Sequence, residues 1–200
     1  HSPYTLSLHD ALPIYELAQL SKSVDHIKDI VSTQQSYAGV SSVLEPLQVS
    51  ALMDDALRMN SGALNRHHVT VVKEYAQVPE IMADKHRLLL IMVNLISNAK
   101  YAMSNLSDRP RQITLSITTV EDSILQISVK DEGEGIPAEN MTRIFTHGFT
   151  TRKEGHGFGL HSCALAAIEM NGRLTAHSDG PGKGALFTLQ IPLNDAAGPA

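Results

Sequence analysis

The middle of this sequence has the pattern of a helix that is apolar on nearly all sides. It begins after Asp84, a residue type favoured at helix N-caps, and its pattern continues to about Asn105. Its interior positions are nearly all apolar: Leu88, Leu89, Ile91, Met92, Leu95, Ile96 and Ala99. Because a helix this hydrophobic must be covered by other elements, we expect it to lie against a sheet.

Strand patterns are found on both sides of this helix. They are β-branched or alternate in polarity, and they cover His68–Tyr75, Gln112–Val120, Ile124–Asp131, Arg173–Ser178 and Ala185–Ile191. Helical patterns run from about Ser50 to Asn65, from Pro137 to near Phe145, and from about Phe158 to Met170. This order predicts an α+β protein, a two-layer α/β sandwich in which a mixed sheet carries helices on one face.

The N-terminal part has a different pattern. From Leu17 to Ala38, apolar residues recur at spacings of three and four, a heptad seam typical of a helix that packs along another helix. Residues 1–14 fit no period, and the chain begins with His1 rather than methionine. We therefore expect a non-native or disordered tail that follows a missing upstream segment. The predicted organisation is a tail at 1–14, a helix and linker at 15–45, the main domain at 46–194 and a tail at 195–200.

Composition removes several classes of protein. A chain of 200 residues has room for one sizeable domain and a short attached element. The net charge of −5 argues against a general nucleic-acid binder, and a single cysteine, Cys163, excludes a disulfide framework and a cysteine-rich metal site. No apolar run approaches the roughly 20 residues that span a bilayer. We expect a soluble, cytoplasmic fragment that contacts neither nucleic acid nor membrane, whether or not its parent protein is anchored.

Two asparagines interrupt the apolar helix. Asn94 and Asn98 lie four residues apart and therefore share one face. An amide buried without a partner costs about 1–3 kcal/mol, so each must find one. One interpretation is a pair of bonds to backbone carbonyls. The other is that the Asn98 oxygen holds a magnesium ion, a cation that prefers oxygen ligands.

The segment DEGEGIP, from Asp131 to Pro137, ends one strand and opens a short helix. A carboxylate at a strand end can accept a hydrogen bond from an exocyclic amine. Gly133 and Gly135 allow the backbone to approach a flat ring or to adopt positive φ. An ordinary strand-to-helix turn would use the same residues, so this motif alone decides nothing.

Three alternating glycines, Gly155, Gly157 and Gly159, stand immediately before a helix. Free backbone N–H groups at a helix N-terminus favour a phosphate. The sequence lacks the Gly-Lys-Ser/Thr of a P-loop, and no strand leads directly into it as in the dinucleotide fingerprint. A flexible hinge is the alternative interpretation.

Taken in order, the segments NLISNAKYAM, DEGEGIP, IFTHGFTT and GHGFGLH resemble the nucleotide-binding boxes of sensor histidine kinases. These kinases belong to an ATPase superfamily shared with gyrase-type topoisomerases and mismatch-repair ATPases. The resemblance extends from about Ser50 to Leu193. It implies an ATP-binding sandwich with Mg²⁺ as the second cofactor and a mobile lid over the phosphates.

The resemblance also implies roles for individual residues. Asn98 would bind magnesium, Asp131 would read the adenine amine, and Phe145 with Phe149 would flank the lid. The remaining cofactor-binding positions that it implies are Tyr101, Gly133, Gly135, Ile136, Thr150, Thr151, Gly155, His156, Gly157, Phe158, Gly159, Leu160 and Thr188, the last as a hydroxyl that assists adenine binding through water.

Asn94 separates the subfamilies that share these boxes. Relatives that hydrolyse ATP carry a glutamate at this position as a general base, and an amide cannot take a proton. The resemblance therefore implies a kinase that holds ATP for transfer, with catalysis resting on positioning and charge neutralisation. Tyr101 departs from the pattern, since many such kinases place a basic residue there. Positive charge would come instead from Arg152, Lys153 and His156. We assign Asn94 and Lys153 to catalysis. A solvated loop would also explain the charged residues.

The phosphoacceptor histidine is not evident. His26 lies on the heptad helix, but Ile27 follows it where the usual acceptor box has an acid. The helix more closely resembles the second helix of a dimerisation hairpin, so we expect the acceptor upstream. The implied partners are a second copy of the chain and a response-regulator receiver domain. Alternative hypotheses are an ATPase-type clamp and a non-catalytic nucleotide-binding dimerisation module.

Overall fold

A computed structural model of the chain describes residues 43–106, 109–152, 155 and 157–193. The predicted tails at 1–14 and 195–200 and the heptad helix with His26 lie outside the described residues. So do Lys153 and His156, which we assign to catalysis and to nucleotide binding. The elements, in chain order, are β1 (Leu44–Leu47), α1 (Val49–Arg66), β2 (Thr70–Tyr75), β3 (Ile81–Asp84), α2 (Lys85–Ala102), β4 (Gln112–Val120), β5 (Ile124–Asp131), α3 (Ala138–Met141), α4 (Gly159–Glu169), β6 (Arg173–His177) and β7 (Ala185–Pro192).

In the described part of the chain, the main sheet has the strand order β2-β4-β5-β7-β6. Strand β2 runs parallel to β4, while the other neighbours are antiparallel. Helix α2 lies between α1 and α4 and packs on β4 and β5. The predicted two-layer sandwich with a mixed sheet and helices on one face is confirmed.

Helix α2 forms where the apolar pattern predicts it. The Asp84 carboxylate accepts hydrogen bonds from the backbone N–H groups of His86 at 3.0 Å and Arg87 at 3.1 Å, which caps the first turn. The helix ends at Ala102, three residues before the predicted end. Its buried residues face the sheet and the two neighbouring helices: Leu88, Ile91, Met92, Leu95, Ile96 and Ala99.

The two faces of the main sheet differ in chemistry. In β5 and β7, Leu125, Ile127 and Leu189 are among the buried residues that form the core under the helices. The alternate residues form polar cross-strand pairs on the other face, where Gln190 donates to Gln126 at 3.0 Å. This alternation assigns each strand residue to one face, because successive side chains of a strand point to opposite sides.

The sequence patterns did not predict β1 and β3, which pair antiparallel as a separate small sheet. Each has four residues, which are too few to show a strand pattern. In β1, Pro46 weakens the signal further. The predicted domain boundary at residue 46 falls inside β1. Helix α3 is also shorter than predicted, since beyond Met141 the chain continues in tight turns, with Thr146 N–H donating to the Arg143 carbonyl at 2.8 Å. Among the described helices, none combines the length and the apolar character required to cross a bilayer.

Candidate nucleotide-binding site

Asp131 is the buried charged group at the end of β5, with 1% of its surface exposed. The Gly133 N–H donates to its Oδ1 at 2.8 Å. Burial raises the pKa of the carboxyl to about 6, against the opposing effect of hydrogen bonds from the backbone of Gly133 and Ala185. The charges of Glu132 and Glu134 raise this pKa further. A buried carboxylate of this kind binds a neutral N–H donor strongly, because few water molecules compete for it.

The loop that follows Asp131 lies against the C-terminal end of α2. Glu134 N–H donates to the Ala102 carbonyl at 2.9 Å. A Cβ on Gly133 would stand 2.5 Å from the Asp131 Oδ1 and 2.6 Å from the Ala102 Cβ, so only glycine fits there. Gly135 has φ +71° and is similarly confined. The glycines predicted from the motif are therefore required by the fold of the loop itself.

Asn94 and Asn98 are half-buried on the face of α2 that points toward α4 and the lid. The Asn94 Nδ2 donates to the Leu90 carbonyl at 3.0 Å, which is the backbone bond of the first interpretation. Its Oδ1 faces Gly159, where an added Cβ would stand 2.7 Å away. The Asn98 Oδ1 is turned to a cation, since it accepts a hydrogen bond from the Arg152 guanidinium.

Arg152 brings positive charge to the helix from the loop. Its Cζ lies 4.0 Å from the centroid of the Tyr101 ring, a cation–π contact. Burial lowers the pKa of Arg152, but a guanidinium stays protonated over the whole working range. Tyr101, where the sequence resemblance implied a basic residue, thus supports a basic group that comes from the loop instead. Thr151, the residue before Arg152, is exposed.

Two glycines, Gly148 and Gly157, lie beside each other at the ends of residues 149–156, the segment that we call the lid after the sequence prediction. Gly148 N–H donates to the Gly157 carbonyl at 3.2 Å. Gly157 has φ +73°, and a Cβ there would stand 2.4 Å from the Gly148 carbonyl carbon. Inside the lid, Thr150 Oγ1 accepts from the Arg152 N–H at 3.1 Å. A Cβ on Gly155 would stand 2.6 Å from that hydroxyl, so a larger residue has no room there.

The two predicted phenylalanines lie beside this base. Phe145 and Phe149 are partly buried and pack on the main core. The Arg143 guanidinium lies 4.7 Å above the Phe149 ring. The Phe145 carbonyl is 3.0 Å from His161 Nδ1. The Phe145 carbonyl thus connects the segment before the lid to the first turn of α4, while Phe149 is held by Arg143.

Helix α4 begins at Gly159, directly after the lid. Ser162 N–H donates to the Phe158 carbonyl at 2.9 Å, so the helical bonds start there. Leu160 packs on the core. The first backbone N–H groups of a helix have no partner within it and attract anions. This end of α4 lies beside Asn94, one helical turn from Asn98 and its Arg152 partner.

Thr188 does not belong to this group. Asp131 pairs with Ala185 across β5 and β7, so the side chains of odd-numbered β7 residues face the helices. Thr188 lies on the other face, where its hydroxyl is 3.3 Å from that of Ser128. This position does not favour the predicted role of Thr188 in adenine binding, because Thr188 is three residues from Ala185 and so points to the opposite side of the sheet.

Two residues beside the Asp131 loop were not predicted as site features. Arg109, in the loop after α2, and Ser178, after β6, both bond the backbone around the Asp131 loop. Ile136, predicted as a contact residue, donates its N–H to the Ser178 hydroxyl at 3.0 Å. A lone arginine or serine in a polar loop carries no pattern, although the glycines of the turn at 180–184 indicate a tight approach of two backbones.

Comparisons with known proteins agree with this geometry. Residues 83–195 match the family model described as histidine kinase-, DNA gyrase B-, and HSP90-like ATPase. The chain is 32% identical to the sensor histidine kinase TmoS of Ectopseudomonas mendocina over 89% of its own length and 18% of that protein. It is 30% identical to the sensor histidine kinase ZraS of Escherichia coli K12 over 90% of its length and 38% of that protein. The chain thus spans well under half of these curated relatives.

Solved structures share the fold. Full-length ShkA in complex with AMPPNP superposes with a TM-score of 0.78 at 20% identity, covering 98% of this chain and 42% of that one. The nucleotide-free catalytic domain of the histidine kinase ThkA gives a TM-score of 0.66 at 22% identity, covering 75% of this chain and 95% of that domain.

The fold and the arrangement of its site are those of an ATP-binding α/β sandwich. The chain belongs to the histidine kinase-, DNA gyrase B-, and HSP90-like ATPase family, and its domain is of the type found in sensor histidine kinases. The resemblance inferred from the four sequence segments is confirmed.

Proposed function

We propose that this chain is the phosphoryl-donor part of a sensor histidine kinase. It binds ATP and transfers the γ-phosphoryl group to a histidine, from which an aspartate of a response regulator receives it. The observation that carries this proposal is Asn94, whose Nδ2 is engaged with the Leu90 carbonyl. An amide at this place offers no base to activate water, so bound ATP persists until an acceptor side chain arrives.

Asp131 reads the adenine in this proposal. Its carboxylate lies at the end of β5 and accepts the exocyclic N–H of the base, while Gly133 and Gly135 let the loop lie close to the ring. Phosphates extend toward the N-terminus of α4 and Arg152. Because Tyr101 has no charge, Arg152 takes the role of the missing basic residue and neutralises phosphate charge.

A magnesium ion fits at Asn98. Its Oδ1 is a hard oxygen ligand, and the Arg152 guanidinium that donates to it in the described structure would turn to the phosphates when Mg²⁺ takes that oxygen. When bound, Mg²⁺ would neutralise charge on the phosphates and orient them. The side chains of the lid and α2 contribute position and charge, which is the main work of a protein in phosphoryl transfer. Lys153 is assigned to the same task.

The whole protein is a homodimer in this proposal, with a receiver domain as its second partner and the cytoplasm as the location of this domain. The names of the relatives support it, since TmoS and ZraS are sensor histidine kinases. The acceptor histidine belongs to a helical hairpin that precedes the described domain.

The test joins the chain to its native upstream helix and measures acid-labile phosphohistidine after incubation with ATP and Mg²⁺. Phosphohistidine is expected in the joined protein and is lost in Asn98→Ala. Rapid ATP hydrolysis without phosphohistidine would favour an ATPase-type clamp. Tight nucleotide binding with neither reaction would favour a non-catalytic module. Absence of nucleotide binding in the unaltered chain would remove all three.

A further inference from the structure

We propose that Arg109 is a positioning residue for the adenine end of the site. Its guanidinium fixes the Asp131 loop, residues 131–136, against the glycine turn, residues 180–184. The inference rests on the proposed nucleotide site and adds a residue that touches neither phosphate nor magnesium there. It concerns the backbone that holds Asp131 rather than Asp131 itself.

Arg109 links two segments that are distant in the chain. Its Nη2 donates to the Gly133 carbonyl at 2.8 Å, and its Nη1 donates to the Gly182 carbonyl at 2.5 Å. The side chain is half-buried. A guanidinium presents its donors in a rigid planar fork, so it can serve two carbonyls at once, which a lysine ammonium does with less directional control.

The two segments that Arg109 bridges lie backbone against backbone. Gly182 N–H donates to the Glu134 carbonyl at 2.6 Å, and Gly184 N–H donates to the Gly133 carbonyl at 3.1 Å. A Cβ on Gly184 would stand 2.0 Å from the Asp131 carbonyl oxygen. No side chain fits between the segments, so side chains can add to these backbone bonds only from the edges.

Ser178 and Arg109 are those groups, at different edges. The Ser178 hydroxyl donates to the Gly184 carbonyl at 2.6 Å and accepts from the Ile136 N–H at 3.0 Å. Arg109 holds Gly133 and Gly182. Of the two, Arg109 acts nearer to the carboxylate, because Gly133 is the residue whose N–H bonds Asp131.

The connection to nucleotide binding runs through the two peptide groups of Gly133. Arg109 holds its carbonyl, and its N–H donates to the Asp131 Oδ1 at 2.8 Å. Without the guanidinium, the Gly133 carbonyl would keep only the Gly184 N–H, so the peptide would be held less firmly and that bond would weaken. The bond lowers the pKa of Asp131, as does the backbone of Ala185, whereas Glu132 and Glu134 raise it. Loss of Arg109 would therefore weaken the adenine contact and move the acidic limit of binding to higher pH.

The test measures the affinity of the full chain for ADP, without Mg²⁺, across a pH series by calorimetry. Arg109→Ala is expected to weaken binding about tenfold, the order of one charge-assisted hydrogen bond, and to shift the acidic fall in affinity upward in pH. Arg109→Lys should restore part of both changes. Unchanged affinity and pH profile in a folded Arg109→Ala would overturn the inference.

Arg111→Ala is the matched control. Arg111 also bonds backbone carbonyls, those of His67 and Leu106 at 2.8 and 2.7 Å, but none in the Asp131 loop. It should lower the melting temperature without moving the pH profile of ADP binding; an equal shift in both variants would overturn the inference. If Arg109→Ala does not fold, Arg109→Gln carries the same test. Failure of the unaltered chain to bind ADP would instead overturn the proposed function. Asp131→Asn tests whether the Asp131 carboxylate contributes to ADP affinity.

Discussion

At the Asp131 end of the site, which is the adenine end in the proposed function, a carboxylate with 1% exposure lies within a layer of backbone hydrogen bonds. At the Arg152 end, which is the phosphate end in the same proposal, a half-buried guanidinium rests on the ring of Tyr101, which is 40% exposed. The first arrangement depends on main-chain groups of β5 and two loops. The second depends on side chains of one loop that meets α2. A site built in this way can hold the base in a fixed place and still rearrange around the phosphates.

The largest expected effect comes from breaking the adenine end. Gly184→Ala would place a Cβ 2.0 Å from the Asp131 carbonyl oxygen at a residue with φ +68°. We expect a loss of about 3 kcal/mol or more in the free energy of unfolding, together with loss of ADP binding. Denaturant unfolding and calorimetry measure both.

Gly182→Ala is its control. Gly182 has φ +77° with no atom within 4 Å of an added Cβ. Only backbone strain remains, so about 1 kcal/mol is expected. Equal losses in the two variants would contradict the tight backbone contact at the adenine end.

Asp131→Asn should weaken nucleotide binding and stabilise the chain without nucleotide. The folded pKa of about 6 exceeds the ordinary 3.8, so the folded state holds this proton more tightly than the unfolded state. Stability without nucleotide is therefore greatest below about pH 4 and decreases as pH rises to about 6. Near neutral pH, Asn should add about 2 kcal/mol to the free energy of unfolding.

The same substitution should reduce ADP affinity by about 2 kcal/mol at neutral pH, since it removes a charged acceptor. In the unaltered chain, affinity falls as pH is lowered through about 6, and in Asp131→Asn it should not depend on pH over this range. The two proteins are compared by the free energy of unfolding at acidic and neutral pH and by calorimetric titration with ADP. A destabilised Asn variant with unchanged affinity would speak against the role of Asp131.

A smaller effect is expected at the phosphate end. Arg152→Ala removes the donor to Asn98 and the partner of the Tyr101 ring. It should weaken ATP binding by about 1–2 kcal/mol and leave adenosine binding unchanged. Arg143→Ala is the control, because Arg143 contacts the Phe149 ring and not Asn98 or Tyr101. It should change ATP binding less than Arg152→Ala does. An equal loss for ATP and adenosine would show that the two ends do not act separately.

The smallest effect is expected at Thr188. Its side chain lies on the face of the sheet opposite the helices, beside Ser128. Thr188→Val should change ADP affinity by less than about 0.5 kcal/mol. A larger loss in calorimetry would return Thr188 to the adenine end.

The parts of the site that sequence could predict are those whose chemistry is local. Asp131 with its glycines, and the asparagines four apart on one helix, carry their geometry in their spacing. The position of Thr188 on the other face was also readable, since Ala185, Phe187 and Leu189 mark the buried face of β7 by alternation.

Arg109 was not predicted from the sequence, and Arg152 was predicted as a source of positive charge but not as a partner of Asn98. Their partners, Gly182 and Asn98, lie 73 and 54 residues away in the chain. Only the folded chain brings these atoms together, and a single arginine in a polar segment has no period. The short strands β1 and β3 were missed for a related reason, because four residues are too few to show an alternation.

The paired glycines at the base of the lid have a consequence for how this family can vary. Gly148 and Gly157 fix the two ends of the lid beside each other, with an N–H to carbonyl distance of 3.2 Å. For a loop with its ends already joined, each doubling of length adds only about 0.6 kcal/mol of closure entropy. Insertions and deletions between these glycines can therefore accumulate at little cost, and the length of the lid can change while the Asp131 loop stays unchanged.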